Sequence, residues 1–337
     1  MAYSKALEII KNRVSCISQW EWIANPAWIE MRALEGESRE DTAMRLHVEY
    51  DFDFGAAGKV MEIGLGHAKP PLRGVKSDYI YNFDPEHPPE DVEIDYVCTL
   101  GIHPASSVEE MAEFFYSKWN REQKLMGSHS LVPGGHYHQI LHYFTTTFDF
   151  EPTIYAAYDD QKKFRNTIER FARLTLKINE AWAMTGIQLM ICHDDLAMCD
   201  RPIFSPDWYR SEVYPYYEQI WKPFKKNNIA ILFMSDGKID QLVQDLIKLA
   251  PAGLFVDEPC DLAHISKTCG PNTFLLGNIR RQSLQNKESI INEIKRVLSE
   301  STNTNNIILR ASAGLDETID PLIIDTYMDC VRQQIKK

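Results

Sequence analysis

The first place in this sequence where chemistry could be done is an apolar run that ends in a knot of ionisable groups. Residues 187–195, IQLMICHDD, set Cys192, His193, Asp194 and Asp195 side by side. An imidazole next to carboxylates can move protons near neutral pH or hold a divalent metal. The competing reading is an ordinary strand end whose aspartates cap the next loop or helix. Two more carboxylates repeat the pattern: Asp236 follows the apolar run 229–234, and Glu258 follows 254–256. They lie 22 residues apart at successive strand ends. In one cleft they would act as an acid pair or as ligands to a metal such as zinc. Otherwise Asp236 caps a helix and Glu258 makes a structural hydrogen bond beside Pro259. His136 and His138, in the run VPGGHYH with His142 four residues further on, offer polar lining for a substrate cleft or metal ligands. On a helix, residues i and i+2 point apart, which weakens the metal reading.

The elements that must position these groups alternate regularly in the second half. Strands are predicted at 189–194, 231–235, 254–257, 274–277 and 307–310, each a short apolar run bounded by turn residues. Helices are predicted between them: 205–226 with Ser205 as cap, Pro206 at its first position and a kink at Pro215, 239–250, a helix opened by Asp261, and 287–300. A last helix, 319–335, closes the chain. A long helix at 158–185, striped by Phe164, Ile168, Phe171, Leu174 and Ile178, leads into the 187–195 run and stops at Gly186. Strict alternation of strand and helix implies a parallel sheet with right-handed crossovers. Five such units in half the chain imply a closed (β/α)8 TIM-type barrel, with the first half supplying three more strands. An open doubly wound sheet is the alternative. Its Gly-rich phosphate loop is approached only by Gly64-Leu65-Gly66, which lacks the third glycine. The first half reads as helices at 4–13, 25–34 and 38–50, a Gly-, Pro- and Tyr-rich stretch at 51–104, and a helix opened by Ser107 with Glu110 three residues on. The expected organisation is one domain over 1–337: an N-terminal helical and loop extension with the first barrel elements in 1–105, and the main barrel in 106–337.

Composition narrows the partners. With 36 basic against 48 acidic residues the net charge is −12, and no basic patch offsets it, so neither nucleic acid nor an anionic membrane is an expected partner. Seven cysteines without a CxxC, in a chain lacking a signal-peptide apolar region, suit reduced thiols and the cytoplasm. Trp20, Trp22 and Trp28 bunch together, either as packing or as an aromatic wall for a substrate; packing is the expectation.

Residues 192–279 resemble the uroporphyrinogen decarboxylase superfamily, which includes corrinoid-linked methyltransferases. The resemblance rests on Asp194-Asp195 after a buried strand, Phe204-Ser205-Pro206 opening a helix, and Tyr214-Pro215-Tyr216-Tyr217 within it. It continues through Ser235-Asp236-Gly237, Glu258-Pro259 with Asp261-Leu262-Ala263, and Gly277-Asn278-Ile279. Tyr50-Asp51-Phe52-Asp53 and the Ser107 helix match more loosely. The resemblance implies a (β/α)8 barrel with its site at the C-terminal strand ends. It implies catalytic roles for His193, Asp195, Asp236 and Glu258, with His136, His138, Met234 and Asn278 along the substrate cleft.

Departures separate the branches of that superfamily. Decarboxylases meet an octacarboxylate with an Arg-rich N-terminal loop, whereas Arg32, Arg39 and Arg45 are scattered here on expected helices. Thiol-activating methyltransferases hold zinc through His-x-Cys and a later Cys; the matching positions are Met234-Ser235-Asp236 and Ala313, which cannot replace those ligands. The expectation is therefore a methyltransferase that moves methyl from a small O- or N-methyl donor to cobalamin on a partner corrinoid protein, with Asp236 and Glu258 as acid pair or metal ligands. The alternatives are the decarboxylase and a non-catalytic barrel that binds a corrinoid protein. Homodimerisation is left open.

Overall fold

The computed structural model describes residues 2–11, 16–55, 72, 74–89, 100–136, 138–302, 306–312 and 314–335. Gly64-Leu65-Gly66 and Ala313 lie outside them. Seven strands, β1 (Cys16–Gln19), β2 (Gly134–His136), β3 (Leu189–His193), β4 (Ala230–Met234), β5 (Gly253–Val256), β6 (Phe274–Gly277) and β7 (Asn306–Leu309), form one parallel sheet in the order β1-β7-β6-β5-β4-β3-β2. The five strands expected in the second half begin and end within one residue of the expected bounds. Because every pairing is parallel, all seven C-terminal ends lie on one rim, as the (β/α)8 TIM-type reading requires.

Each strand is buried on both faces, and its residues alternate between two cores. Leu189, Ile191, Leu232, Met234, Phe255, Phe274, Leu276 and Ile308 point inward and fill the barrel. Met190, Cys192, Ile231, Phe233, Leu254, Val256, Leu275, Ile307 and Leu309 point outward beneath the helices. Ala6, Ile9 and Ile10 of the Ala2–Ile10 helix join the inner cluster and plug the barrel. Trp20 belongs to the inner core and Trp28 to the outer one, both fully buried, so the packing reading holds for these two.

Among the described residues the eighth place in the wall is held by Phe54, which forms a parallel bridge with Leu131: the Gly55 amide donates to the Leu131 carbonyl at 2.9 Å, and the Leu131 amide donates to the Asp53 carbonyl at 2.9 Å. On the other side this stave meets β1 through side chains. The Ser18 hydroxyl donates to the Asp53 carboxylate, Lys5 pairs with the same group at 2.6 Å, and Trp20 stacks on Phe54 at 5.1 Å.

The helices follow their caps. Ser107 and Glu110 form a reciprocal capping box for Val108–Met126, and Ser205 opens Pro206–Glu212. Two expected helices are broken, each for a local reason. The 158–185 helix divides at Asp160, whose carboxylate accepts from the Lys163 amide and starts a new helix, Gln161–Ala183. The 205–226 helix becomes Pro206–Glu212, Tyr214–Ile220 and Lys222–Lys226. Pro215 and Pro223 each lack the amide that would continue the preceding helix, and each sits in a first turn instead. The 239–250 helix shrinks to Val243–Leu246 and a 3-10 turn, Ile247–Leu249. Among the described residues no helix is long and apolar enough to cross a membrane.

Candidate active site

The alternation that sorts the strand residues continues past the strand ends and sorts the ionisable groups. Counting by twos from Leu189 and Ile191 brings His193 and then Asp195 inward, and counting from Leu232 and Met234 brings Asp236 inward. Phe255 leads to Asp257, and Ile308 leads to Arg310. The contacts follow this parity. His193 Nε2 lies 3.4 Å from Asp195 Oδ1, and the same oxygen accepts the Asp236 amide at 3.1 Å. Arg310, fully buried, lies over the Trp22 ring at 3.4 Å and the Phe255 ring at 5.3 Å.

Asp194 has the opposite parity and turns outward, where it anchors a helix. Its carboxylate accepts the amides of Ile140 and Leu141 at 3.0 Å, the amide of His142 at 2.6 Å and the Tyr217 hydroxyl at 2.6 Å. Those amides open the Leu141–Phe148 helix, whose N-terminus has no side-chain cap of its own. Asp194 therefore does cap a helix, but one that precedes it by some fifty residues. Burial pushes its carboxyl up, and the Tyr217 hydroxyl and the amides pull it back.

The consequence of that anchor is the position of His142. Its Nδ1 lies 2.8 Å from Asp195 Oδ2, and its ring meets His193 edge to face at 5.2 Å. Burial alone would lower the His142 pKa, but the carboxylates of Asp195, Asp194 and Asp236 outweigh it and raise the imidazole. Burial would raise Asp195, but His193 and His142 hold its carboxyl well below the ordinary range. Asp236 stands in the open mouth yet is crowded by protein; that crowding and the Asp195 charge push its carboxyl up, with Asp257 adding to the effect.

The expected site residues thus divide. His193, Asp195 and Asp236 meet at the rim. Met234 is packed into the barrel interior directly beneath it. Glu258 has outward parity: its Oε2 accepts the Arg281 amide at 3.3 Å, and the carboxylate in the field of Asp236 is Asp257. His136 and His138 are buried, and burial keeps both imidazoles neutral, His136 near 3 and His138 well below its ordinary value. The His138 ring stacks on His142 at 4.7 Å and so braces it. The Asn278 amide donates to the Asp257 carbonyl at 3.3 Å, and its Oδ1 accepts from Arg296 at 2.9 Å, a structural setting. Of the cluster His136, His138 and His142, the last is the one that reaches Asp195, and Asp257 and Arg310 join the site without having been singled out for it.

Below the rim, outward-facing Glu21 accepts the Ala311 amide at 3.2 Å and the Tyr327 hydroxyl. Burial pushes its carboxyl up to about 7, although Tyr327 and Arg310 pull it down. A carboxyl raised on folding contributes its stability at low pH, and that contribution is lost as pH rises through the folded value. Between pH 5 and 8 this group should therefore remove roughly 2–3 kcal/mol, most of it before pH 7. Glu21→Gln should flatten that slope; urea unfolding at both pH values checks it, and an unchanged slope in the variant would exclude Glu21 as its source.

A family model described as Uroporphyrinogen decarboxylase (URO-D) matches residues 141–334. No curated protein matches the sequence. Among solved structures, a methyltransferase from Methanosarcina mazei aligns with a TM-score of 0.63 at 12% identity, covering 99% of this chain and 98% of that one. A B12-independent methionine synthase from Shewanella sp. W3-18-1 aligns at TM-score 0.47 and 8% identity, covering 66% and 65%. At these identities the first likeness speaks to the fold alone, and the second carries no argument. The family match covers the anchor, the rim carboxylates and most of the barrel wall, well over half of the sequence: this chain belongs to the uroporphyrinogen decarboxylase family.

Proposed function

We propose that the chain transfers a methyl group from a small O- or N-methyl donor to a corrinoid carried by a partner protein, at the C-terminal mouth of the barrel. The observation that supports this reading best is the convergence of His142, His193 and Asp195, with Asp236 hydrogen-bonded to Asp195. These are nitrogen and oxygen groups, suited to grip an oxygen or nitrogen leaving atom rather than a thiol. The corrinoid, as co-substrate, supplies a cobalt nucleophile for the methyl carbon. The chain's own work is at the other end of the breaking bond. The His142–Asp195 pair positions the heteroatom, and Asp236, whose carboxyl is pushed up, can hand it a proton as the bond opens.

The test mixes purified protein, candidate methyl ethers and methylamines, and reduced cobalamin, and follows the corrinoid spectrum. Methylcobalamin that forms only with protein and donor is the expected result. Porphyrinogen decarboxylation without any methylcobalamin would overturn the proposal in favour of the decarboxylase. The same assay separates two carboxylates that the sequence presents as a pair. Asp236→Asn should slow transfer roughly 10²-fold, since an amide cannot pass a proton. Glu258→Gln, outward and held by the Arg281 amide, should change the rate by less than about threefold, within the small effects typical of substitutions away from a site.

A further inference from the structure

We infer that His142, His193 and Asp195 form a binding site for one divalent transition-metal ion of the zinc class; this deepens the methyl-transfer reading and rests on it for its use. Among the described residues they are the one group of three or more His, Cys, Asp or Glu whose donor atoms draw together, all within 4.8 Å of one another. Ligand atoms around a tetrahedral zinc stand about 3.3 Å apart. The Asp195 carboxylate reaches both imidazoles, Oδ2 to His142 at 2.8 Å and Oδ1 to His193 at 3.4 Å, and one donor atom from each of the three residues falls within 4.8 Å of the others. Two imidazoles and a carboxylate are a zinc donor set that leaves a fourth position for substrate. The site is reachable, since the Asp195 side chain is 26% exposed while His193 is only 3% exposed.

The surroundings favour a cation and hold the ligands still. Asp236 and Asp257 add negative charge close by. His142 is fixed twice, by the Asp194-capped helix start and by its stack on His138, and Asp195 is fixed by the Asp236 amide. Such outer partners are what orient metal-binding histidines and carboxylates. An ion would take the place between His142 and Asp195 that a shared proton holds without it. This site does not use the positions of the thiolate ligands in the thiol-activating relatives: Met234 is packed inside the barrel, and Asp236 is at most a neighbour of the ion. In methyl transfer the ion would receive the leaving heteroatom. The acceptor–methyl bond forms, the methyl–heteroatom bond breaks, and its electron pair stays on the heteroatom, now a ligand.

The experiment needs neither donor nor corrinoid. Full-length protein is stripped with chelator, titrated with Zn²⁺ alone by calorimetry, and titrated with Co²⁺ alone by visible spectroscopy. The expected result is one ion per chain with the intense bands of four- or five-coordinate cobalt. His142→Gln, His193→Gln and Asp195→Asn should each weaken Zn²⁺ binding at least roughly 100-fold, with folding checked by circular dichroism, while His264→Gln, on an exposed helix, binds as wild type. No ion bound by the wild type, only the weak bands of six-coordinate cobalt, or equal affinity in the three folded variants would overturn the site. A variant that fails to fold leaves the wild-type stoichiometry and cobalt spectrum to decide. Metal binding without methyl transfer would overturn the proposed reaction and keep the site; methyl transfer by metal-free protein would keep the reaction and overturn the ion's part in it.

Discussion

Asp194→Ala is expected to destabilise the protein by about 4 kcal/mol, the largest effect of a single side chain at this site. The carboxylate accepts three amides at the start of the Leu141–Phe148 helix and the Tyr217 hydroxyl of the Tyr214–Ile220 helix; all are buried except that of the half-buried His142. Alanine leaves four donors without an acceptor, three of them in buried residues. Each such orphan costs about 1–3 kcal/mol. Relief of the buried charge offsets some of this sum, because burial already pushes the carboxyl up. Asp194→Asn keeps one acceptor oxygen but turns an NH₂ group toward donors, so about half the loss should remain. Urea unfolding should show a lower midpoint with an unchanged slope. A loss below 1 kcal/mol for alanine would mean that the helix start is held by something other than Asp194.

Asp195→Asn, one residue on, should shift the balance: a smaller loss of stability and roughly a 10³-fold loss of methyl transfer. The side chain is partly open to solvent, and asparagine still offers an oxygen to the Asp236 amide, so the fold loses the charge facing His142 and His193 but no helix start is left without its acceptor. The site loses the negative charge that faces both His142 and His193. Without it, neither a proton nor a metal ion is held between the imidazoles. Because these groups act as a unit, His142→Gln added to Asp195→Asn should cost little more than either change alone. Comparison of kcat/KM for the two single variants and the double variant checks this. Additive losses would show that His142 and Asp195 act separately, and an Asp195→Asn enzyme that keeps a tenth of the rate would remove Asp195 from the chemistry.

The contrast between these neighbours shows what the sequence could and could not reveal. Short apolar runs between turn residues locate the five later strands almost to the residue, because a strand buried on both faces has no other way to look. The family motifs lead to His193, Asp195 and Asp236. They do not separate Asp257 from Glu258, whereas the two-residue period does: Phe255 is inward, so Asp257 is inward and Glu258 is not. The same count would have brought out Arg310, two residues beyond inward Ile308. His142 is different in kind. Its place depends on a bond from Asp194 to a helix start some fifty residues earlier, and no local pattern carries that information. His136 and His138 look like ligands because they are close in sequence, yet one is buried in the core and the other stacks on His142, and neither falls in the donor group with His193 and Asp195. The interruption at Pro215 was legible from its missing amide, whereas the breaks at Asp160 and Pro223 were outweighed by an apolar stripe that runs straight across them.

The stave at residues 52–55 gives the barrel an asymmetry in how it can deform. Elsewhere the wall is stitched by ladders of main-chain bonds, but among the described residues one side here is a single bridge and the other is a carboxylate, a hydroxyl, a lysine and two stacked rings. A wall built this way has a fault line, and thermal breathing should begin there, since side-chain contacts separate singly whereas a ladder opens cooperatively. The fault lies between β1 and β2, so that β4 and β5, which carry Asp236 and Asp257, are about as far around the sheet from it as strands can be. Opening that began at this seam would leave the ladders of the far wall, which carries Asp236 and Asp257, to break last.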